Sequence, residues 1–172
     1  MKRILVTGAS GQIGSDLIPS LRGKYGNESV VAANHETPLP EDIRDSGPHV
    51  SLDVLSYDQT DRAIAEHGVD TIYHLGSILS ARAEREPALA FRVNILGTSN
   101  VIEAAQQNGV ERLMLPSSFA TFGPDTPKCD AADNSVQRPE TVYGISKVFW
   151  ELMGNYLSRQ CYSERPGGLD VR

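Results

Sequence analysis

The feature that most constrains this chain is a glycine-rich segment close to its N-terminus. Gly8, Gly11 and Gly14 follow an apolar run at residues 4–6 and open a segment whose apolar residues have helical spacing. Glycines in this pattern permit a tight turn, close approach of a pyrophosphate and close packing of helix on strand. The helix N-terminus adds amide donors and a positive dipole end. The segment therefore predicts a phosphate-binding loop, and the lack of a Gly-Lys-Ser/Thr sequence there excludes a Walker loop.

Short apolar runs alternate with helix-like segments along the rest of the chain. The patterns predict strands at 3–6, 29–33, 50–54, 70–76, 112–116 and 169–172, and helices at 12–21, 57–67, 88–108 and 142–157. Proline-containing segments 37–48 and 119–139 are predicted to be loops. Alternation of strand and helix implies parallel strands, right-handed crossovers and helices on both faces. We therefore expect an α/β, Rossmann-type doubly wound parallel sheet forming a single domain over residues 1–172.

Composition excludes several classes of partner. The net charge is −6, and no run of Lys or Arg forms the basic stripe that nucleic acid or an anionic membrane surface requires. No apolar stretch approaches the roughly 20 residues of a membrane span. Cys129 and Cys161 have neither CxxC spacing nor nearby histidine pairs, so neither a disulfide framework nor a metal site is expected. The sequence predicts a cytoplasmic protein with a small-molecule ligand.

The second predicted strand is followed by an unusual residue for a dinucleotide site. Such strands commonly end in an acid that binds the adenosine ribose hydroxyls, whereas this one is followed by Asn34. Asn34 can hydrogen-bond a hydroxyl without charge, and Glu36 is a second candidate for that contact. No Arg directly follows the strand to bind a 2′-phosphate, so NAD is predicted rather than NADP. Compared with an acid, Asn34 is expected to weaken NAD binding.

Two further motifs suggest acid–base chemistry. Tyr143 and Lys147 lie four residues apart, on one face of a predicted helix. A phenol has a pKa near ~10, and an adjacent ammonium stabilises its phenolate. Ser117 and Ser118 follow the fifth strand, where ligands bind in open α/β sheets, and a serine there can polarise a reacting oxygen. Taken alone, the Tyr–Lys spacing also fits a solvated helix face.

These motifs together resemble the extended short-chain dehydrogenase/reductase family, also described as NAD-dependent epimerases and dehydratases. Asp53 and Val54 at the end of the third predicted strand, the 74–76 segment of the fourth strand, and Asn94 in the long helix strengthen the resemblance. What the resemblance implies is an NAD site built from Gly8, Gly11, Gln12, Ile13, Gly14, Asn34, Asp53, Val54, Leu75, Gly76, Asn94 and Lys147. His74 is interpreted as a structural strand-end residue rather than a catalyst.

Within that family, the segments 74–81, 87–90, 116–124 and 169–172 look like those of the short-chain type of L-threonine 3-dehydrogenase. The resemblance implies oxidation of the threonine β-hydroxyl to 2-amino-3-oxobutanoate, with hydride transfer to NAD. Tyr143 would be the general base and Lys147 would lower its pKa. Ser118 would orient the substrate hydroxyl, with Ser117 as the second choice, and Ser80 would help to hold the amino acid.

The resemblance also implies a homodimer formed through the helices at 88–108 and 142–157. Segment 159–168 is more polar than the family's connection there, and the sequence ends before a C-terminal substrate subdomain, so the fold is expected to be truncated at that point. Two other functions stay open. One is a nucleotide-sugar epimerase or dehydratase of the same superfamily, and the other is a truncated, inactive NAD-binding module.

Overall fold

The computed structural model describes residues 2–132, 134–163 and 168–172 of the chain. Within that part, one parallel sheet has the strand order β3-β2-β1-β4-β5-β6. Its strands are β1 Ile4–Thr7, β2 Val30–Asn34, β3 His49–Ser51, β4 Thr71–His74, β5 Arg112–Met114 and β6 Asp170–Val171. The predicted doubly wound α/β fold is thereby confirmed, and each predicted strand is present.

Seven α-helices connect or follow these strands in the described residues. They are α1 Gln12–Tyr25, α2 Glu41–Asp45, α3 Tyr57–His67, α4 Ser80–Arg85, α5 Pro87–Phe91, α6 Thr98–Gln107 and α7 Val142–Ser163. Ser56 caps α3 by accepting a hydrogen bond from the Gln59 amide. Helix α7 continues six residues beyond the predicted end at 157.

Three segments differ from the prediction. The segment 37–48 was expected to be a loop, but it contains α2, which starts after Pro40 and buries Ile43. Helix α4 was not predicted. The helix expected at 88–108 is interrupted by a π-helical segment, Arg92–Gly97, between α5 and α6. A π-bulge is a frequent feature of functional sites. In this one Gly97 packs closely against Val54, and a Cβ added at Gly97 would lie only 2.7 Å from Val54 Cγ2.

The sheet is buried on both faces because its strands are largely apolar. Ile4 and Val6 of β1 point to the side covered by α1 and α2, where Ile18 and Ile43 complete the core. Leu5 points to the other side, which is filled by residues of α3, α6 and α7, including the fully buried Trp150. Continuous apolar runs are what a parallel sheet between two helical layers requires.

The strand order places a switch point beside β1. The chain proceeds from β1 to β2 and β3 on one side, then returns to β4 on the other side, so that Thr7 pairs with both Ala33 and His74. In open α/β sheets, ligands bind in the crevice at such a point, outside the carboxyl ends of the strands. None of the helices in the described part of the chain is long and apolar enough to cross a bilayer.

Candidate active site

A cavity of about 640 Å³ opens at this switch point, along the carboxyl ends of the strands. It runs from the Gly8–Gly14 loop, past the ends of β2 and β3, to the first turns of α7, where Tyr143 and Lys147 line it. Residues predicted from separate motifs thus lie in one cavity. The lining includes the predicted residues Gly8, Gly11, Gln12, Ile13, Gly14, Asn34, Asp53, Val54, Leu75, Gly76, Ser117, Tyr143 and Lys147.

The glycine loop forms one end of the cavity from main-chain atoms. Gly11 precedes the first residue of α1, and its amide donates to Gly8 O at 3.0 Å. The first intrahelical bond runs from Ser15 N to Gly11 O, so the amides of the first turn have no intrahelical acceptor. Gly8 has φ +68°, and an added Cβ would lie 2.8 Å from Gly76 N; at Gly14 it would lie 2.5 Å from Gly8 O. The loop therefore presents amides to a phosphate and leaves no room for side chains at these two glycines.

The ends of β2 and β3 form the adjacent wall. The Asp53 carboxylate accepts a hydrogen bond from Leu55 N at 2.9 Å, and its second oxygen lies 3.9 Å from His35 Nε2. Asn34 Nδ2 donates to Thr37 O at 2.9 Å, which leaves the Asn34 amide oxygen as an acceptor. Polar acceptors beside the apolar lining of Leu52 and Val54 suit a ribose and a flat heterocyclic ring.

The opposite end of the cavity is built from side chains of α7. Lys147 Nζ donates to Pro116 O at 2.9 Å, and lies 5.5 Å from the Tyr143 ring centroid and 3.3 Å from the Trp150 ring centroid. Lys147 is nearly fully buried. The lysine therefore has a fixed place beside the tyrosine, since a main-chain carbonyl at the end of β5 and an aromatic face hold its head group.

Burial lowers the pKa of Lys147 to about 7. The Pro116 carbonyl and the Trp150 ring both favour the charged ammonium, so the charged form is present at neutral pH. An ammonium at this place puts a positive charge beside the Tyr143 ring. A Tyr–Lys pair whose lysine titrates near neutrality can take up a proton from a bound hydroxyl and pass it on.

The two candidate serines occupy different environments. Ser117 lines the cavity, and its hydroxyl donates to the Glu151 carboxylate one turn beyond Lys147. Ser118 instead caps the short 3-10 turn Phe119–Thr121, because its Oγ accepts from Ala120 N at 3.2 Å. Unlike Ser117, Ser118 does not line the cavity, and its hydroxyl hydrogen has no acceptor within the described residues. The choice between the two serines stays a prediction.

Asn94 supports the cavity from behind. It is fully buried in the π-helical segment, and its side-chain amide makes two hydrogen bonds to the main chain of Ile78. Oδ1 accepts from Ile78 N at 2.7 Å, and Nδ2 donates to Ile78 O at 3.0 Å. Nδ2 also donates to Ser146 Oγ in α7 at 3.3 Å. Ile78, not Asn94, lines the cavity. Asn94, predicted as a cofactor contact, therefore has a positioning role in this structure, joining the end of β4 to the catalytic helix.

His74 has the structural environment that the sequence favoured. It is fully buried between Thr7 Oγ1, at 2.8 Å from Nδ1, and Thr98 Oγ1, at 3.0 Å from Nε2. Burial, with a smaller contribution from the charge of Lys147, lowers the pKa of His74 to about 3. His74 is therefore neutral at physiological pH and ties β1 to α6.

Some lining residues were missed, and three predicted residues, Ser80, Ser118 and Asn94, do not line the cavity. Ser80 opens α4 and is exposed, while its neighbours at 77–79 line the cavity. Ser77 could have been found, because it closely follows the end of β4. Arg82 also lines the cavity, but it had no sequence signal, since α4 itself was not predicted. Within the described residues, no cluster of three His, Cys, Asp or Glu side chains has the geometry to hold a metal ion.

Comparison with known proteins agrees with this geometry. The model of the NAD dependent epimerase/dehydratase family matches residues 4–164. Mitochondrial L-threonine 3-dehydrogenase of Bos taurus is 38% identical over 155 residues, which are 90% of this chain and 41% of that protein. The chain thus spans about half the length of such relatives, or less.

Solved structures of a threonine dehydrogenase and of an epimerase are also similar to this chain. L-threonine dehydrogenase of Clostridium difficile superposes with a TM-score of 0.88 at 39% identity, over 93% of this chain and 50% of that one. UDP-glucose 4-epimerase of Thermus thermophilus, solved in complex with NAD, gives 0.77 at 28% identity, over 94% and 51% of the two chains. The glycine turn, unpaired helix amides and ribose-side acceptors fit NAD, so the predicted cofactor is confirmed at the level of the family. This chain belongs to the NAD-dependent epimerase/dehydratase family.

Proposed function

We propose that this chain is the NAD-binding and catalytic part of an enzyme that oxidises the β-hydroxyl of L-threonine to 2-amino-3-oxobutanoate. The observation that carries the proposal is the placement of Tyr143 and Lys147 in the same cavity as the Gly8–Gly14 loop. The choice of threonine is supported by relatives and solved structures named L-threonine dehydrogenase at 38% and 39% identity. The choice of oxidoreduction is supported by the family.

In this proposal the residues of α7 move the proton. Tyr143, as phenolate, accepts the proton of the substrate hydroxyl, while the Lys147 ammonium stabilises the negative charge that the phenolate carries beforehand. Ser118 donates its hydroxyl hydrogen to the substrate oxygen and orients it; Ser117 is the second choice because its hydrogen is already given to Glu151. Bound NAD supplies the acceptor for the hydride that leaves the substrate carbon.

The amino-acid end of the substrate would lie beyond α4. Ser80 stays the proposed contact for it, at the exposed start of that helix. From Ser80 the substrate would extend toward Ser77, which lines the cavity next to Gly76. Substitution Ser80→Ala should raise the KM for threonine without changing the affinity for NAD. An unchanged KM would remove Ser80 from the site.

We also propose a homodimer formed through residues 88–108 and 142–157. Large apolar side chains are exposed on these helices in the single chain: Phe91, Leu96, Ile145, Leu152 and Tyr156. Apolar surface that would cost free energy in water is expected to be covered by a second copy. Leu152→Glu should shift the light-scattering mass from dimer to monomer, whereas Val136→Glu, at an exposed residue outside both helices, should not. A monomeric wild type would overturn this part of the proposal.

A nucleotide-sugar epimerase is the second candidate, favoured by the likeness to the Thermus thermophilus enzyme. The deciding experiment follows NADH absorbance with the purified chain, NAD and L-threonine, and in parallel follows interconversion of UDP-glucose and UDP-galactose. Threonine-dependent NADH that disappears in Tyr143→Phe supports the dehydrogenase. Sugar interconversion without NADH release supports the epimerase. NAD binding without either reaction would leave an NAD-binding module as the function of this chain.

A further inference from the structure

The wall beside the end of β2 is tied to the phosphate loop at a single carbonyl. Thr37 O accepts from Asn34 Nδ2 at 2.9 Å and from Ser10 Oγ at 2.8 Å. Residues 34–37, here named the adenosine wall, all line the cavity. The Ser10 bond holds the wall against the phosphate loop, and the Asn34 bond joins the two ends of the wall, so that the shape of the wall depends on a donor at residue 34.

An amide meets this requirement and an acid does not. Asn34 donates through Nδ2 and keeps Oδ1 as an uncharged acceptor for a ribose hydroxyl. An aspartate at this position has no hydrogen to give, and its carboxylate would face the Thr37 carbonyl at a distance where two acceptors repel. Asn34 is therefore a shaping residue of the wall, and the negative charge commonly placed here must come from elsewhere.

Glu36 supplies that charge two residues further on. It is exposed and lines the cavity, as does Arg82 of α4. Arg82 Nε donates to Glu86 Oε1 at 2.9 Å, and the pKa of Arg82 is raised chiefly by Glu86 and to a smaller extent by the charge of Glu36. Arg82 is thus paired with Glu86, and Asp53 adds a second negative charge to the lining beside that of Glu36.

We propose that Glu36 is the residue that selects NAD over NADP, while Asn34 shapes the wall that presents it. The proposal rests on the proposed function in so far as it assumes that the cavity binds NAD. A 2′-phosphate carries between one and two negative charges and would lie against Glu36, with Arg82 already paired with Glu86. A ribose 2′-hydroxyl meets no such repulsion and can donate to Asn34 Oδ1 or to Glu36.

Glu36→Gln tests the charge with little change of shape. Calorimetric titration of the purified chain with NAD and NADP should show NADP affinity rising roughly tenfold, with NAD affinity within about threefold of wild type. The gain should shrink at high salt, because partly exposed charges are screened, and a purely structural effect would not respond in this way. The matched control is Glu41→Gln, an exposed acid of α2 outside the cavity lining, which should leave both affinities unchanged.

Asn34→Asp tests the shape. The sequence alone predicts that an acid at this position strengthens NAD binding, but Asn34→Asp should weaken NAD by at least about threefold, because the bond to Thr37 O is lost while Glu36 is unchanged. Tighter NAD binding in Asn34→Asp would overturn the shaping role, and an unchanged ratio of NAD to NADP affinity in Glu36→Gln would overturn the selecting role. Absence of NAD binding by the wild type would overturn the proposed function together with this proposal, and is seen before any variant is made. Circular dichroism of each variant verifies that its fold is intact.

Discussion

The two ends of the cavity are built in different ways, one mainly from main-chain atoms and the other mainly from side chains. At the phosphate end, main-chain amides of α1 and the glycines before it form the site, and side chains are excluded at Gly8 and Gly14. At the catalytic end, the side chains of Tyr143 and Lys147 form the site, and the main chain contributes the Pro116 carbonyl that holds the lysine. The phosphate end therefore depends on backbone shape, and the catalytic end on the identity and ionisation of a few side chains.

This difference separates binding from chemistry within one cavity. A change at the catalytic end that keeps side-chain volume should remove turnover and leave the cofactor bound. A change at the phosphate end should remove the cofactor even though no functional group is altered. The catalytic end should also make stability depend on pH, because Lys147 and His74, two buried groups whose pKa values fall far below their ordinary values, lie there.

The largest effect is expected for Tyr143→Phe. Removing the phenol while keeping the ring should lower turnover of threonine by about 10²–10⁴-fold, with NAD affinity nearly unchanged. Steady-state NADH formation and calorimetric NAD titration measure the two quantities. Tyr156→Phe is the matched control, since Tyr156 is an exposed tyrosine of the same helix and should keep full activity. Retained turnover in Tyr143→Phe would show that another group is the base.

The next effect is expected at the phosphate end. Gly8→Ala should weaken NAD by more than about tenfold and cost roughly 1–3 kcal/mol of unfolding free energy, because a Cβ at φ +68° would lie against the backbone of residues 75 and 76. Gly23→Ala is the matched control. Gly23 lies in α1 with nothing within 4 Å of an added Cβ, so alanine should stabilise the helix by about 0.5–1 kcal/mol. NAD affinity that is equal in the two variants would contradict the backbone-built site.

A third effect concerns acid stability. His74 has a folded-state pKa of about 3, below the ordinary 6.5, so between these values the unfolded chain binds a proton that the folded chain does not. Stability should therefore fall as pH drops from about 6.5 toward 3, with a contribution of up to ~1.4 kcal/mol per pH unit. Urea unfolding across this range measures it. His74→Gln, which does not titrate, should reduce the slope by that contribution, and an unchanged slope would assign acid instability to other groups.

A fourth effect is expected on the alkaline side. Lys147 has a folded-state pKa of about 7 against an ordinary 10.5, so the unfolded chain binds more protons throughout that interval. Its contribution to stability should therefore rise with pH from about 7 to 10.5, by no more than ~1.4 kcal/mol per pH unit. Urea unfolding of Lys147→Met should show a flatter profile in this range. Lys24→Met, at an exposed lysine of α1, should not alter it.

Much of the architecture could be predicted because local sequence patterns indicate it directly. Apolar runs of the β1 type specify buried strands, and Gly8 to Gly14 between strand and helix specify the turn. The segments whose prediction was wrong have weak local signals. Helix α2 is five residues long and α4 is six, and the interruption of the long helix depends on Asn94 bonding to Ile78, sixteen residues away. No local pattern encodes that contact.

The candidate site could likewise be predicted only in part. Its residue types were predictable, because a Tyr–Lys spacing and serines after a strand carry their chemistry in the sequence. Their surroundings were not. The difference between Ser117, which bonds to Glu151, and Ser118, which caps a turn, depends on where α7 lies relative to β5. The presence of Arg82 in the cavity lining depends equally on α4.

By itself the sequence determined the doubly wound sheet, the phosphate loop and the identity of the residues that line the other end of the cavity. It could do so because strand burial, helix periodicity and glycine freedom are properties of neighbouring residues. Only the tertiary structure decided the ionisation of Lys147 and His74, the hydrogen-bonding roles of Asn34 and Asn94, and the residues that face one another across the cavity. These properties arise from burial and from distances between segments far apart in the chain, which neighbouring residues do not specify.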